Sequence, residues 1–249
     1  MDDFLGFFSG FDGIRRLKQL EVGLMKRADV VFTSSSYLRE KMKSIYRFEL
    51  KDPPNLVNNG ISSTLFERGG NGNFGNIGVL KTGGFLNIMY MGTVGEWIDF
   101  DIIINILREK PNVKFTIIGP IDTKVPRHSR INYVGPVEHN QLPDYALLAD
   151  ALIMPFRLNE LVRSVDPVKI YEYIFFQKPV FAINYKEMHK FLPFVTLYSN
   201  KEELLQLVED LQDGKAEVHS KAEIITFLKQ NTWDVRCKQI VSILEGDST

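Results

Sequence analysis

Leu86-Asn87-Ile88-Met89-Tyr90-Met91-Gly92 and, after a helical interval, Val113-Lys114-Phe115-Thr116-Ile117-Ile118-Gly119-Pro120 decide how this chain folds. Each is a short, mainly apolar run stopped by glycine, the pattern of a strand buried on both faces. The pattern returns at Ile131–Val134 before Gly135-Pro136, at Ala151–Met154 before Pro155, and at Val180–Ile183. Helical segments fall between them: one opened by Asp99 or its neighbour and running through Leu107, one over Gln141–Ala149, and one opening at Pro167. Strands alternating with helices at this spacing predict βαβ units and an α/β fold, a Rossmann-like parallel sheet flanked by helices. Right-handed crossovers then align the C-terminal strand ends along one edge, where such sheets bind ligands. Gly92, Gly119, Gly135, Pro155 and the Ser164–Lys169 stretch are expected to converge there.

Toward the N-terminus there is α/β material of smaller extent. A helix is expected over Arg15–Lys26, with Leu17, Leu20, Leu24 and Met25 on one side. Ala28–Phe32 reads as a short buried strand, and Ser36 as the cap of a helix from Tyr37 to about Ser44. Leu56-Val57 reads as a second strand, ended by Asn58-Asn59-Gly60. Residues 69–84 then contain seven glycines and few large apolar residues, the composition of a linker. The expected organisation is a partial N-terminal Rossmann-like segment over 1–65, a glycine-rich linker over 66–84, the main domain over 85–230, and a C-terminal helix within 231–249. Three helical segments close the chain: Lys201–Leu211, Lys221–Leu228 and Trp233–Leu244.

The 249 residues carry 30 Lys and Arg against 31 Asp and Glu, so no field favours binding DNA or RNA by bulk charge. Cys237 is the single cysteine, which excludes an internal disulfide and any multi-cysteine metal site. It also points to a reducing, cytoplasmic compartment. No apolar run approaches the roughly 18–20 residues of a membrane span. Phe4, Leu5, Phe7, Phe8 and Phe11 make the first segment aromatic, but it lacks the basic flank of a membrane-surface anchor. Packing against protein is the expectation, with contact at the inner face of a membrane as the alternative. His128, His139, His189 and His219 form no metal-spaced pair on one helix, so structural or surface roles are expected and no metal site. Asp2 and Asp3 are adjacent, and adjacent side chains rarely converge on one atom. Neither a G-x-S-x-G elbow nor a P-loop lysine motif occurs.

The chemistry-bearing stretch is Ser164-Val165-Asp166-Pro167-Val168-Lys169-Ile170-Tyr171-Glu172-Tyr173, followed by Lys178-Pro179-Val180. Asp166 is a natural N-cap, and Pro167 suits a first helical position. Lys169 and Glu172, three apart, share one helix face. A helix start attracts phosphate through free N–H groups and the dipole. A lysine adds a full charge, and a carboxylate one turn on can accept from sugar hydroxyls. That set suits a nucleoside diphosphate. The same residues also read as a capped surface helix with an exposed ion pair and core tyrosines. Placement at a strand end favours the ligand site.

Pro155-Phe156, Ser164–Glu172 and Lys178-Pro179-Val180 together resemble the donor-site block of GT-B glycosyltransferases. The nearest type is group 1, family 4-like, of bacterial cell-surface polysaccharide synthesis. Other blocks agree in order. Glu21–Ser36 resembles the end of that family's first Rossmann-like domain, and Asn58-Asn59-Gly60-Ile61 with Phe66 its passage into the second. Tyr90-Met91-Gly92 with Trp97-Ile98-Asp99, Ile117–Pro120 and Val134-Gly135-Pro136 resemble successive strand ends of the second domain. Two positions depart: Ser164 stands where many relatives carry a glutamate, and Gly95-Glu96-Trp97 where they often carry Arg and Lys. The sequence leaves open the donor base, sugar, acceptor and linkage.

The resemblance implies roles. Glu172 would hold the donor ribose. Lys169 and Arg163 would face the pyrophosphate, and the Ser164 and Val165 backbone would cradle phosphate. Gly92 and Thr93 would let the diphosphate approach the backbone, and Tyr133, Val134 and Gly135 would pack the base. The nucleotide-sugar is a substrate, and neither cofactor nor metal is implied. The acceptor site and usual catalytic residue would lie before Met1, so no catalytic residue is assigned. Residues 1–65 would be the remnant of an acceptor domain, and the chain a fragment, an internal start or half of a split enzyme. The implied activity is transfer of a sugar from a UDP- or GDP-sugar to a glycan or lipid-linked acceptor, incomplete without a partner chain supplying the missing half. The alternatives are a non-catalytic scaffold pairing with another glycosyltransferase, and a nucleotide-sugar epimerase.

Overall fold

The computed structural model describes residues 11–64 and 84–246. Asp2-Asp3, the aromatic start up to Phe8 and nearly all of the glycine-rich stretch lie outside the described residues.

Continuous apolar runs form the sheet because a strand covered on both faces needs no polar side. Strand β3 (Leu86–Met91) is buried at all six positions. Strands β4 (Val113–Ile118), β5 (Ile131–Gly135), β6 (Ala151–Met154), β7 (Val180–Ile183) and β8 (Thr196–Tyr198) complete a parallel sheet. Its order is β5-β4-β3-β6-β7-β8. The chain steps outward from β3 to β5, then crosses back to β6 beside β3. The order therefore reverses between β3 and β6, which opens a crevice at their C-terminal ends. Two polar side chains inside the sheet, Asn87 and Thr116, are satisfied. Thr116 donates to Asn87 Oδ1 at 2.7 Å, and Asn87 Nδ2 donates to the Leu148 carbonyl at 2.9 Å.

In the N-terminal part, helix α1 (Phe11–Arg27), strand β1 (Phe32–Thr33), helix α2 (Ser36–Ile45) and strand β2 (Asn55–Leu56) form a small unit. β1 and β2 pair in parallel as a two-stranded sheet, over a cluster of Met25, Met42 and Tyr46. Three expectations are corrected here. Strand pairing is confined to Phe32-Thr33 rather than Ala28–Phe32, because only two rungs have a partner strand. The second strand is Asn55-Leu56 rather than Leu56-Val57. Ser35, not Ser36, caps α2: its hydroxyl accepts the Leu38 N–H at 3.1 Å, which frees Ser36 for another contact.

Helices cover the large sheet. Asp99 caps α3 (Phe100–Glu109), accepting the N–H groups of Asp101 and Ile102, and Ile102, Ile103, Ile106 and Leu107 bury one face. The segment expected as one helix over Gln141–Ala149 is a 3₁₀ turn, His139–Gln141, followed by α4 (Leu142–Leu147). Pro143 falls in the first turn of α4, where its missing N–H does no harm. Ser164 closes a short helix, α5 (Glu160–Ser164). Next come α6 (Val168–Phe175), a 3₁₀ segment at Lys186–Phe191, and helices α7 (Lys201–Gln212), α8 (Lys221–Lys229) and α9 (Trp233–Glu245). Helix α9 crosses back to the N-terminal unit. Ile61 bridges Thr232, Arg236 Nε donates to the Asn59 carbonyl at 3.2 Å, and Gln239 to the Leu56 carbonyl at 3.2 Å.

Candidate functional site

The crevice between β3 and β6 is walled by the loop after β3 and the start of α6. Gly92 N–H donates to the Ile118 carbonyl at 2.8 Å, extending the β3–β4 ladder by one rung. Gly119 has φ +136°, and a Cβ there would strike the Gly92 carbonyl oxygen. Glycine is required at 119 for both reasons. Tyr90 Oη donates to the Thr93 carbonyl at 2.8 Å, which fixes the loop beyond. Trp97 covers Gly95, and its carbonyl accepts the Arg157 N–H at 2.7 Å, joining the loops after β3 and β6.

Tyr173 joins α6 to this loop. Its hydroxyl accepts the Met91 N–H at 2.7 Å and donates to the Met91 carbonyl at 3.0 Å. β6 pairs with β3 only as far as Met89, so one phenol replaces the missing strand at the next rung. Burial pushes the phenol pKa well up.

Helix α6 carries Lys169 and Glu172. Lys169 Nζ lies 2.8 Å from Glu172 Oε2. The Glu172 side chain is 14% exposed and that of Lys169 36%, so the pair is neither core nor free surface. No side chain caps the first turn of α6. Its leading amides are a ready anion site. Asp166 is not the cap expected of it. Pro167 holds the N-cap position, and the Asp166 carboxylate turns inward to Lys190 and to the Asn59 N–H. Burial raises the Asp166 pKa, against the pull of Lys190, and lowers that of Lys190, against the pull of Asp166.

The remaining candidates are spread around this centre. Arg163 is exposed in the last turn of α5. Ser164 is buried, its hydroxyl donating to the Leu161 carbonyl at 2.7 Å. The Val165 N–H donates to the Val162 carbonyl and its carbonyl accepts from Tyr185 Oη, both at 3.2 Å, so its backbone is held on both sides. Tyr133 lies half-buried on β5, donating to the Pro126 carbonyl at 2.8 Å, and burial pushes its phenol up to about 12. Val134 is half-buried, and Gly135 turns the strand end at φ +83°. The Gly135 carbonyl accepts the Gly119 N–H at 2.9 Å.

His139, for which a structural or surface role was expected, is exposed, and from the 3₁₀ turn after β5 it also brings Nε2 to 3.5 Å from Glu172 Oε2. Its only sequence signal was a position just past a strand's C-terminal end. Among the described residues no group of three or more His, Cys, Asp or Glu is arranged to hold a metal ion.

A parallel sheet of this order, with its crevice at the β3–β6 reversal and a neighbouring partial α/β unit, is the fold of the GT-B glycosyltransferases. No family model matches the chain. It is 25% identical over 190 residues to a Bacillus subtilis (strain 168) protein provisionally named as the teichuronic acid biosynthesis glycosyltransferase TuaH. That match covers 73% of this chain and 47% of the relative, so the chain spans about half the length of that relative. Among solved structures, sucrose-phosphate synthase from Thermosynechococcus elongatus aligns with TM-score 0.65 at 14% identity, over 93% of this chain and 61% of that one. HepE from Anabaena, solved with UDP-glucose, aligns with TM-score 0.64 at 15% identity, over 92% and 67%. Trehalose 6-phosphate synthase from Burkholderia multivorans gives 0.65 at 14%, over 96% and 64%.

Proposed function

We propose that the chain is the donor-binding part of a glycosyltransferase that moves a sugar from a nucleoside diphosphate to a polysaccharide or lipid-linked acceptor. The observation that carries this is the Lys169–Glu172 pair on α6, whose start has no side-chain cap and whose Tyr173 is hydrogen-bonded to Met91 just before the loop after β3. Glu172 Oε2 is taken by Lys169, and the carboxylate's other oxygen accepts a ribose hydroxyl. Lys169 and Arg163, with the first amides of α6, face the diphosphate. Gly92 and Thr93 let it approach the backbone, and Tyr133, Val134 and Gly135 pack the base. In transfer, the bond from the anomeric carbon to the phosphate oxygen breaks and the diphosphate leaves with the electron pair. The acceptor oxygen bonds to that carbon and gives up its proton. Fixed positive charge at the departing diphosphate lowers the barrier.

Within this reading residues 1–65 belong to an acceptor domain, 85–230 to the donor domain, and the rest of the acceptor site comes from polypeptide outside this sequence. The compartment is cytoplasmic, as the single cysteine suggests. No helix among the described residues is long and apolar enough to cross a membrane. HepE is solved with UDP and with UDP-glucose, so uridine nucleotides are the first donors to test. Calorimetry with UDP, GDP and their sugars measures the site. Glu172→Ala and Lys169→Ala are each expected to weaken binding about tenfold or more, the loss of one charge-assisted contact. Unchanged affinity in both variants refutes the assignment.

A further inference from the structure

A buried polar cluster ties the start of α6 to the N-terminal unit. The Asp166 side chain is 0% exposed, with Oδ1 2.5 Å from Lys190 Nζ. Its Oδ2 accepts the Asn59 N–H at 2.6 Å, and its carbonyl accepts Asn59 Nδ2 at 2.8 Å. Asn59 thus holds Asp166 through both backbone and side chain, 107 residues away in sequence. The Asn59 carbonyl accepts from Tyr171 Oη at 3.3 Å and from Arg236 Nε at 3.2 Å. A parallel contact lies alongside. Glu187, with its side chain 4% exposed, accepts the Ser36 N–H at 2.7 Å and the Ser36 hydroxyl. Lys190 stands 3.9 Å from Glu187 Oε2 and links the two carboxylates.

Asn59 and Ser36 each follow a strand of the two-stranded sheet. The two contacts differ in what they hold on the other side. Glu187 sits on the 3₁₀ segment after β7. Asp166 sits two residues before α6, in the turn that leads into the helix carrying Lys169 and Glu172. A buried carboxylate with fixed partners on both oxygens cannot shift without leaving a charge or an amide unpaired, so it pins that turn.

We propose that Asn59 is a positioning residue for the donor site, holding the start of α6 through Asp166 and coupling nucleotide affinity to the placement of the N-terminal unit. This rests on the donor-site reading above. Asn59 hydrogen-bonds Asp166 and neither Lys169 nor Glu172, so its effect runs through the turn.

Asn59→Ala and Ser36→Ala each delete a side-chain contact across the same boundary, and only the first removes a direct contact to Asp166. UDP and GDP affinities by calorimetry, with melting curves, separate positioning from docking. Both variants are expected to melt about 2–4 °C lower, the effect of one hydrogen bond in a chain of this size. Asn59→Ala is expected to bind nucleotide about three- to tenfold more weakly, and Ser36→Ala within about twofold of wild type. Asn59→Asp, which sets a carboxylate against the Asp166 carbonyl, should weaken binding further. Wild-type affinity in Asn59→Ala, or equal losses in Asn59→Ala and Ser36→Ala, overturns the proposal while leaving the donor site standing if Glu172→Ala still loses binding. If the wild-type chain binds neither nucleotide, the donor-site reading falls and the coupling with it.

Discussion

Replacing Tyr173 by phenylalanine deletes one oxygen atom and leaves two backbone groups without partners. That oxygen accepts the Met91 N–H at 2.7 Å and donates to the Met91 carbonyl at 3.0 Å, in a ring with no solvent exposure. The sheet cannot compensate, because β6 has already left β3 by that rung. Each hydrogen bond contributes about 1 kcal/mol net, and a buried group left unpaired adds a penalty of about 1–3 kcal/mol. Some relaxation is expected, so a total near 3 kcal/mol is the working figure. For a chain of this length that lowers the melting temperature by about 6–12 °C. Circular dichroism melts of the two proteins measure it. Met91 precedes Gly92, so UDP affinity in the variant should fall as well. A stability loss under about 1 kcal/mol with wild-type nucleotide affinity would refute the view that this phenol fixes the loop.

Two further outcomes follow from the geometry. Gly119→Ala places a Cβ against the Gly92 carbonyl oxygen at φ +136°. The backbone term alone is about 1–3 kcal/mol, so the variant should melt well below wild type and bind nucleotide poorly; an unchanged melt refutes the required close approach. At alkaline pH, Tyr133 and Tyr171 are held protonated by burial, each with its pKa pushed up to about 12. The unfolded chain ionises its tyrosines near 10, so it sheds protons first. Stability from these groups is full below about pH 10 and is lost as pH rises toward 12. Urea titrations at pH 8, 10 and 11 should show falling midpoints, and Tyr133→Phe should flatten the decline; a flat profile in the wild type contradicts the sign.

Strands β3, β4 and β6 have the bounds their sequences announce, because an apolar run stopped by glycine or proline is a local signal, and β7 is a four-residue apolar run ended by Asn184. The alternation with helices was equally local, and it carried the α/β class and the parallel sheet. β8 escaped notice: Thr196-Leu197-Tyr198 is three residues at a sheet edge, too short for periodicity to register. Asp166 was misassigned for a related reason. Asp-Pro before a helix looks like a cap in any sequence, and only a lysine 24 residues on and an asparagine 107 residues back turn it inward.

The sequence by itself determined that this chain builds βαβ units, where their strands end, and that Lys169 and Glu172 share a helix face near such an end. Those properties depend on neighbours within a few residues. The tertiary structure decided the strand order, and so that the reversal falls between β3 and β6. It also decided that Tyr173 completes β3, that His139 stands over Glu172, and that Asn59 grips the turn before α6. Each of these joins groups distant along the chain. A buried polar atom takes whichever partner the packed fold brings within reach, and that partner is written nowhere near it in the sequence.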